Sequence, residues 1–146
     1  MNLLLMILGQ IWLSPITCLV LLGLGVLRLF KQVKLTGRTR ISFIFTVIPD
    51  SMLYNYMVRG NWGGWSGGAC IVIKPPLTQR LVAHENFHVL QQLLFGITFP
   101  FVYLFEMLLV KYVKKGRAYY DNRFEVDARA YAAIIDNQNN ELNKCK

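Results

Sequence analysis

Apolar residues fill the start of the chain almost without interruption. Residues 3–30, LLLMILGQIWLSPITCLVLLGLGVLRLF, carry no charge before Arg28. With a helical rise of about 1.5 Å per residue, such a stretch can cross a hydrocarbon core of about 30 Å. Gln10 and Pro15 interrupt it, and Pro15 predicts a kink or a break. Two arrangements follow: a single spanning helix, or a hydrophobic hairpin that bends at Pro15 and returns. A cleaved signal peptide fits less well, because no basic residue precedes the apolar stretch and no A-x-A-like site follows it. Residues 1–30 are therefore expected to form a transmembrane or membrane-anchoring segment.

The pattern then shortens. ISFIFTVI, residues 41–48, is rich in β-branched and aromatic residues and reads as a strand. The glycine-dense NWGGWSGG, residues 61–68, reads as a loop. ACIVIK, residues 69–74, reads as a second strand that Pro75 and Pro76 stop. Thr78 is a helix N-cap candidate, and Gly96 fits the C′ position just after about Phe95. Residues 97–113 form a second apolar run, broken by Glu106 and holding Pro100 near its start. Its uncharged parts are too short to cross a bilayer comfortably. A basic turn, KKGRAYYDNR, leads to a last helix from near Asn122 to about Asp136. The expected fold is α+β: a short sheet with helices over residues 41–136, the N-terminal anchor, and a fraying polar tail at 137–146.

Composition reinforces the membrane reading. Hydrophobic residues make up 54% of the chain, more than a small soluble domain requires. The net charge of +8 is clustered beside the apolar runs: Arg28, Lys31, Lys34, Arg38 and Arg40 after the first, Lys111, Lys114, Lys115 and Arg117 after the second. This placement points to a lipid surface, with no nucleic-acid partner expected, since no basic stripe interleaves with aromatics. The basic cluster after the first run predicts that the remainder of the chain lies on the cytoplasmic side. Cys18, Cys70 and Cys145 show no CxxC spacing, which argues against a disulfide framework or a thiolate metal site.

The chemistry concentrates in LVAHENFHVLQQ, residues 81–92, which holds both histidines of the chain. Helical spacing of four puts His84 and His88 on one face, a turn apart. Two imidazoles so placed can share one Zn²⁺. Glu85 projects about 100° round the helix from His84, where it can act on a water without binding the metal. Val82, Phe87, Val89, Leu90, Leu93 and Leu94 fall on an apolar arc, while Gln91 and Gln92 join the histidines in a polar stripe. That stripe has no lysine, so it is expected to face a cleft or another element. The bland reading is a pair of core histidines, each satisfied by a neighbour.

A catalytic zinc needs a third protein ligand and an open position. No third histidine exists, so the candidates are Glu106, Asp121, Glu125, Asp127, Asp136 and Glu141. DNRFEVDARAYAAII, residues 121–135, is the natural partner helix, since Phe124, Ala128, Tyr131, Ala132 and Ile135 form one face with small residues for close approach. Glu125 and Asp127 sit on opposite shoulders of that face, and periodicity does not choose between them. HENFHVLQQ followed by DNRFEVDARA resembles small gluzincin-type metallopeptidase-like proteins of bacteria and phages, which share a pattern HExxHxxQQ…NxxExxA. The resemblance covers roughly residues 69–135. It implies a minimal zincin-like core, with a short sheet, the HExxH helix and a glutamate helix. It also implies Zn²⁺ held by His84, His88 and Glu125, with Asp127 as a group orienting an imidazole or as the alternative ligand.

The implied activity is peptide-bond hydrolysis with Glu85 as general base, the substrate being a peptide or a membrane-proximal protein. Tyr119, Tyr120, Tyr131 and Arg129 are the candidates for stabilising an oxyanion. The strand at 69–74 is expected to lie along the cleft and pair with the substrate. The competing expectation is a non-catalytic membrane-associated protein, structural or metal-binding and phage-derived. His88 and Glu125 flank the second apolar run, so one metal requires that this run does not carry the chain across a bilayer.

Overall fold

The computed structural model describes residues 3–144. Its architecture is α+β: a small mixed sheet with helices on both faces and an apolar N-terminal helix. The strands are β1 (Val33–Arg38), β2 (Phe43–Val47), β3 (Gly64–Gly67) and β4 (Cys70–Ile73), in the spatial order β1-β2-β4-β3. β2 and β4 run parallel; the two outer pairs are antiparallel. The helices are α1 (Leu3–Leu29), α2 (Met52–Arg59), α3 (Gln79–Phe95), α4 (Phe99–Tyr112) and α5 (Arg123–Lys144).

Alternation along the central strands sends side chains to opposite faces. Phe45, Val47, Cys70 and Val72 pack with Met57 of α2 and Leu24 of α1. Ile44, Ile71 and Ile73 pack with Val89 and Leu93 of α3 and Leu13 of α1. Burial pushes the Cys70 thiol up to about 11, so it behaves as a small apolar residue.

Helix α1 thus belongs to both clusters and crosses the sheet at the β3–β4 turn. There Thr17 Oγ1 accepts a hydrogen bond from the Ala69 amide at 3.0 Å. Gly68, at φ +56°, sits so near Thr17 that an added Cβ would fall 2.6 Å from its hydroxyl. One face of α1 is docked along its length, through Leu13, Thr17, Val20 and Leu24. The opposite face, with Leu8, Ile11, Trp12, Leu19, Leu22, Val26 and Leu29, is exposed and equally apolar.

Several expectations change here. The helix runs unbroken through Pro15, which rules out the bend of a hairpin. Proline withholds the amide that would bond the Ile11 carbonyl, and the Ser14 hydroxyl donates to that carbonyl instead, at 2.7 Å. β1 and α2 lie in segments with no expected element, and β3 lies in the expected glycine loop. β4 is an inner strand, paired on both sides, so it cannot accept a peptide; the edge beside α3 belongs to β3. The polar segment after Asp136 continues α5 to Lys144 rather than fraying. Cys145 lies outside the described residues.

Helix α3 begins and ends as expected. Thr78 accepts from the Leu81 amide at 3.2 Å, and Gly96 takes φ +59° at the C-terminus. Trp12 covers Gly96 so closely that an added Cβ would fall 1.1 Å from its indole Nε1. Gly96→Ala should therefore cost more than about 1 kcal/mol, from backbone strain and displacement of the indole. Trp12→Ala in the same chain should recover only the second part, which denaturant unfolding of the single and double variants will measure.

Candidate metal centre

Helix α3 lies between the sheet and α5, and its expected polar stripe faces inward. His88, Glu85, Gln91 and Gln92 are all buried, whereas Leu94, placed on the apolar arc, is 70% exposed. The two helices run antiparallel: Phe87 stacks on Tyr131 at one end, and Phe95 meets Phe124 edge-on at the other. Ala128 and Ala132, fully buried, give the closeness that α5 needs.

This packing carries the Glu125 carboxylate to both imidazoles. His88 Nε2 is 3.1 Å from Oε1, and His84 Nε2 is 3.4 Å from Oε2. One ligand atom from each of the three residues lies within 4.8 Å of the others. Glu125 is 3% exposed, and its Oε2 is buried without a hydrogen-bond partner. A carboxylate oxygen left bare beside two imidazole nitrogens is what a cation would complete. The donor set, two nitrogens and a carboxylate, suits a divalent ion of borderline softness.

The surroundings hold each group in place. His88 Nδ1 meets Gln91 Oε1 at 2.8 Å, and Gln91 Nε2 donates to the Phe124 carbonyl at 3.1 Å. With the amide oxygen facing it, Nδ1 carries the proton and Nε2 is turned toward Glu125. Gln92 works on the other side: its Oε1 accepts from the Gly68 amide at 2.8 Å and its Nε2 donates to Ser66 Oγ at 3.2 Å, pinning β3 and its turn to α3. Tyr103, on α4, donates its hydroxyl to Glu125 Oε1 at 2.8 Å. Asn122, fully buried, accepts from the Phe124 amide at 2.9 Å and donates to the Tyr103 carbonyl at 3.4 Å. Gly64 of β3 leaves room for Glu85, whose Oε1 would lie 3.1 Å from an added Cβ.

The electrostatics follow from burial and mutual contact. Burial raises the Glu85 carboxyl to about 7 against the opposing pull of both imidazoles. Burial also works against charge on Glu125, but the neighbouring imidazoles and the Tyr103 hydroxyl outweigh it and hold that carboxyl below the usual range. Burial disfavours the His88 imidazolium; the Glu125 carboxylate and Gln91 overcome this and raise its pKa.

A cavity of about 680 Å³ opens over this cluster, with β3 along one side and Ile16, Trp65 and Phe99 among its walls. Tyr119 and Tyr120 line it, and burial together with the Glu125 carboxylate keeps the Tyr119 hydroxyl neutral. Tyr131 stacks on Phe87 away from the cavity. Arg129 binds the Tyr120 carbonyl and approaches Glu125 Oε2 at 3.7 Å. Asp127 is exposed and takes no part; Gln91 performs the orienting role expected of it. Glu106 pairs with Lys114 at 2.9 Å, and Asp121 accepts from the Arg117 amide at 2.7 Å. Asp136 and Glu141 lie outside the ligand group.

Two contributors escaped the sequence reading: Tyr103 and the distinct tasks of the paired glutamines. Spacing does not single out Tyr103, since Thr98, Glu106, Lys111 and Tyr112 put polar groups on several lines of the second apolar run. No protein-family model matches the chain, and no curated protein or solved structure is detectably similar to it.

Tyr103→Phe and Gln91→Ala should each weaken divalent metal binding by about 10- to 100-fold without unfolding the protein. His88→Ala should abolish stoichiometric binding. Competition against a chelator of known affinity, with circular dichroism of each variant, checks all three.

Proposed function

We propose that the chain is a membrane-anchored, zinc-dependent metallopeptidase of gluzincin type, built on a minimal zincin-like core. The observation that carries this reading is the bare, buried Oε2 of Glu125 beside the His84 and His88 imidazoles. His84, His88 and Glu125 would hold the zinc. Bound there, it would lower the pKa of a water toward neutrality and polarise a carbonyl.

The remaining work belongs to the protein. Glu85, on the same turn as His84 and buried against Gly64, accepts the proton of the attacking water and delivers it to the leaving amine. Gln91 and Tyr103 keep the imidazole and the carboxylate in position while charge shifts. Tyr119 and Tyr120 offer hydroxyls from the cavity wall to a developing oxyanion. β3 offers a strand edge along the cavity, to which an extended peptide can add. The aromatic lining favours apolar side chains, and the basic cluster after α1 supports a site at the anionic cytoplasmic leaflet.

Glu85→Gln should keep the metal while lowering kcat/KM on an apolar peptide library by about 10²-fold or more. Metal retained by the native chain with no Glu85-dependent cleavage of any peptide would instead identify a metal-binding structural protein. Metal analysis paired with mass-spectrometric product mapping reads both quantities.

A further inference from the structure

Two helical stretches, Ile11–Leu29 and Gln79–Tyr112, are long and apolar enough to cross a bilayer. Neither is placed as a free span. The second is two helices: α3 sits in the core, and α4 follows it after a turn at Gly96–Thr98. The ligands on either side of α4 meet at 3.1 Å, so α4 does not separate them. At its length of 14 residues α4 extends about 21 Å, short of a hydrocarbon core. The first is docked on the folded domain from Leu13 to Leu24, so a perpendicular α1 would carry the β3–β4 turn and its core into lipid.

What both helices share is one exposed apolar stripe. On α1 it is Trp12, Leu19, Leu22 and Val26, all recurring on one line of the helix. On α4 it is Phe101, Phe105, Leu108 and Tyr112, with Phe101 73% and Tyr112 67% exposed. The opposite line of α4, Phe99, Tyr103 and Val110, turns toward the domain. The stripes approach each other at the turn that Trp12 covers, where Ile97 is also exposed. Lys31 and Lys34 follow one helix, and Lys111, Lys114 and Lys115 end the other.

We propose that the protein is monotopic: α1 and α4 lie in the plane of one leaflet of an anionic bilayer, with these stripes immersed and the flanking lysines at the headgroups. Apolar stripes with aromatic and basic rims match the boundary between headgroup and acyl chain, where such helices sink about 5–10 Å. Ile16 of α1 and Phe99, Pro100 and Tyr103 of α4 also line the cavity. The same helices that meet lipid therefore wall the site, and polypeptide segments at the membrane surface reach it first. The inference rests on the exposed stripes and is independent of what the site hydrolyses.

Spin labels in the full chain test it. Cys18→Ser and Cys145→Ser leave only Cys70, which is buried and unreactive while the protein is folded. Single cysteines replace Trp12, Leu19, Val26, Phe101, Phe105 or Leu108, and Asn137 on α5 serves as an exposed reference. Each is labelled in vesicles of equal parts phosphatidylcholine and phosphatidylglycerol, and a circular dichroism spectrum and thermal transition matching those of the parent chain show that it is folded. The expected result is accessibility to oxygen several-fold above that to a water-soluble nickel complex at all six stripe positions, with the reverse at Asn137. Similar depths are expected at Trp12, Leu19 and Val26. A maximum at Leu19 with shallow ends would mean that α1 spans, and would overturn the proposal. Nickel accessibility on α4, or low accessibility to both reagents as under a second protein copy, would overturn it as well. None of these readings involves turnover, so the peptidase reading stands or falls separately.

Discussion

The close contact between α3 and α5 is the constraint on which the site depends. It places a carboxylate, 3% exposed, against two imidazoles. A buried carboxylate is tolerated only when its charge is met. His88 and Tyr103 meet one oxygen of Glu125; the other, near His84 and Arg129 but without a hydrogen bond, is the position an ion would complete. Bulk at Ala128 or Ala132 would move Glu125 away from α3 and leave the imidazoles without their partner.

The rest of the molecule serves that contact. Gln91 ties His88 to the first turn of α5, Asn122 ties that turn to α4, and Gln92 ties α3 to the edge strand. Polar side chains at defined atoms thus join α3 to α5 and to the edge strand, and α5 to α4. Helix α1 closes the remaining side, where its docked face completes both apolar clusters. The exposed faces of α1 and α4 lie outside this network, on the sides of these helices turned away from the cavity.

Much of this was legible in the sequence, and the failures have physical causes. The α3 boundaries followed from Thr78 and Gly96, whose cap roles are local. The approach of His84, His88 and Glu125 followed from helical spacing together with a family resemblance, because spacing alone left Asp127 open. The mode of α1 was not legible: both of its faces are apolar, one against protein and the other exposed, so no periodicity distinguishes a spanning helix from a docked one. β1, VKLTGR, is an exposed edge with polar residues, and β3, GWSG, is half-buried and glycine-rich, so neither shows strand alternation. Tyr103 was missed because a tertiary contact, not spacing, selects it from several tyrosines. The expectation of a break or hairpin at Pro15 failed, and Ser14 satisfies the carbonyl that proline leaves open.

The central claim is that the Glu125 carboxylate joins His84 and His88 on a single ion. Zinc-edge X-ray absorption of the metal-loaded protein tests it directly. The account predicts two imidazole nitrogens and oxygen donors at about 2.0–2.1 Å, with loss of one oxygen donor or of the metal itself in Glu125→Ala. A first shell containing sulfur, or one unchanged by removing Glu125, would contradict it.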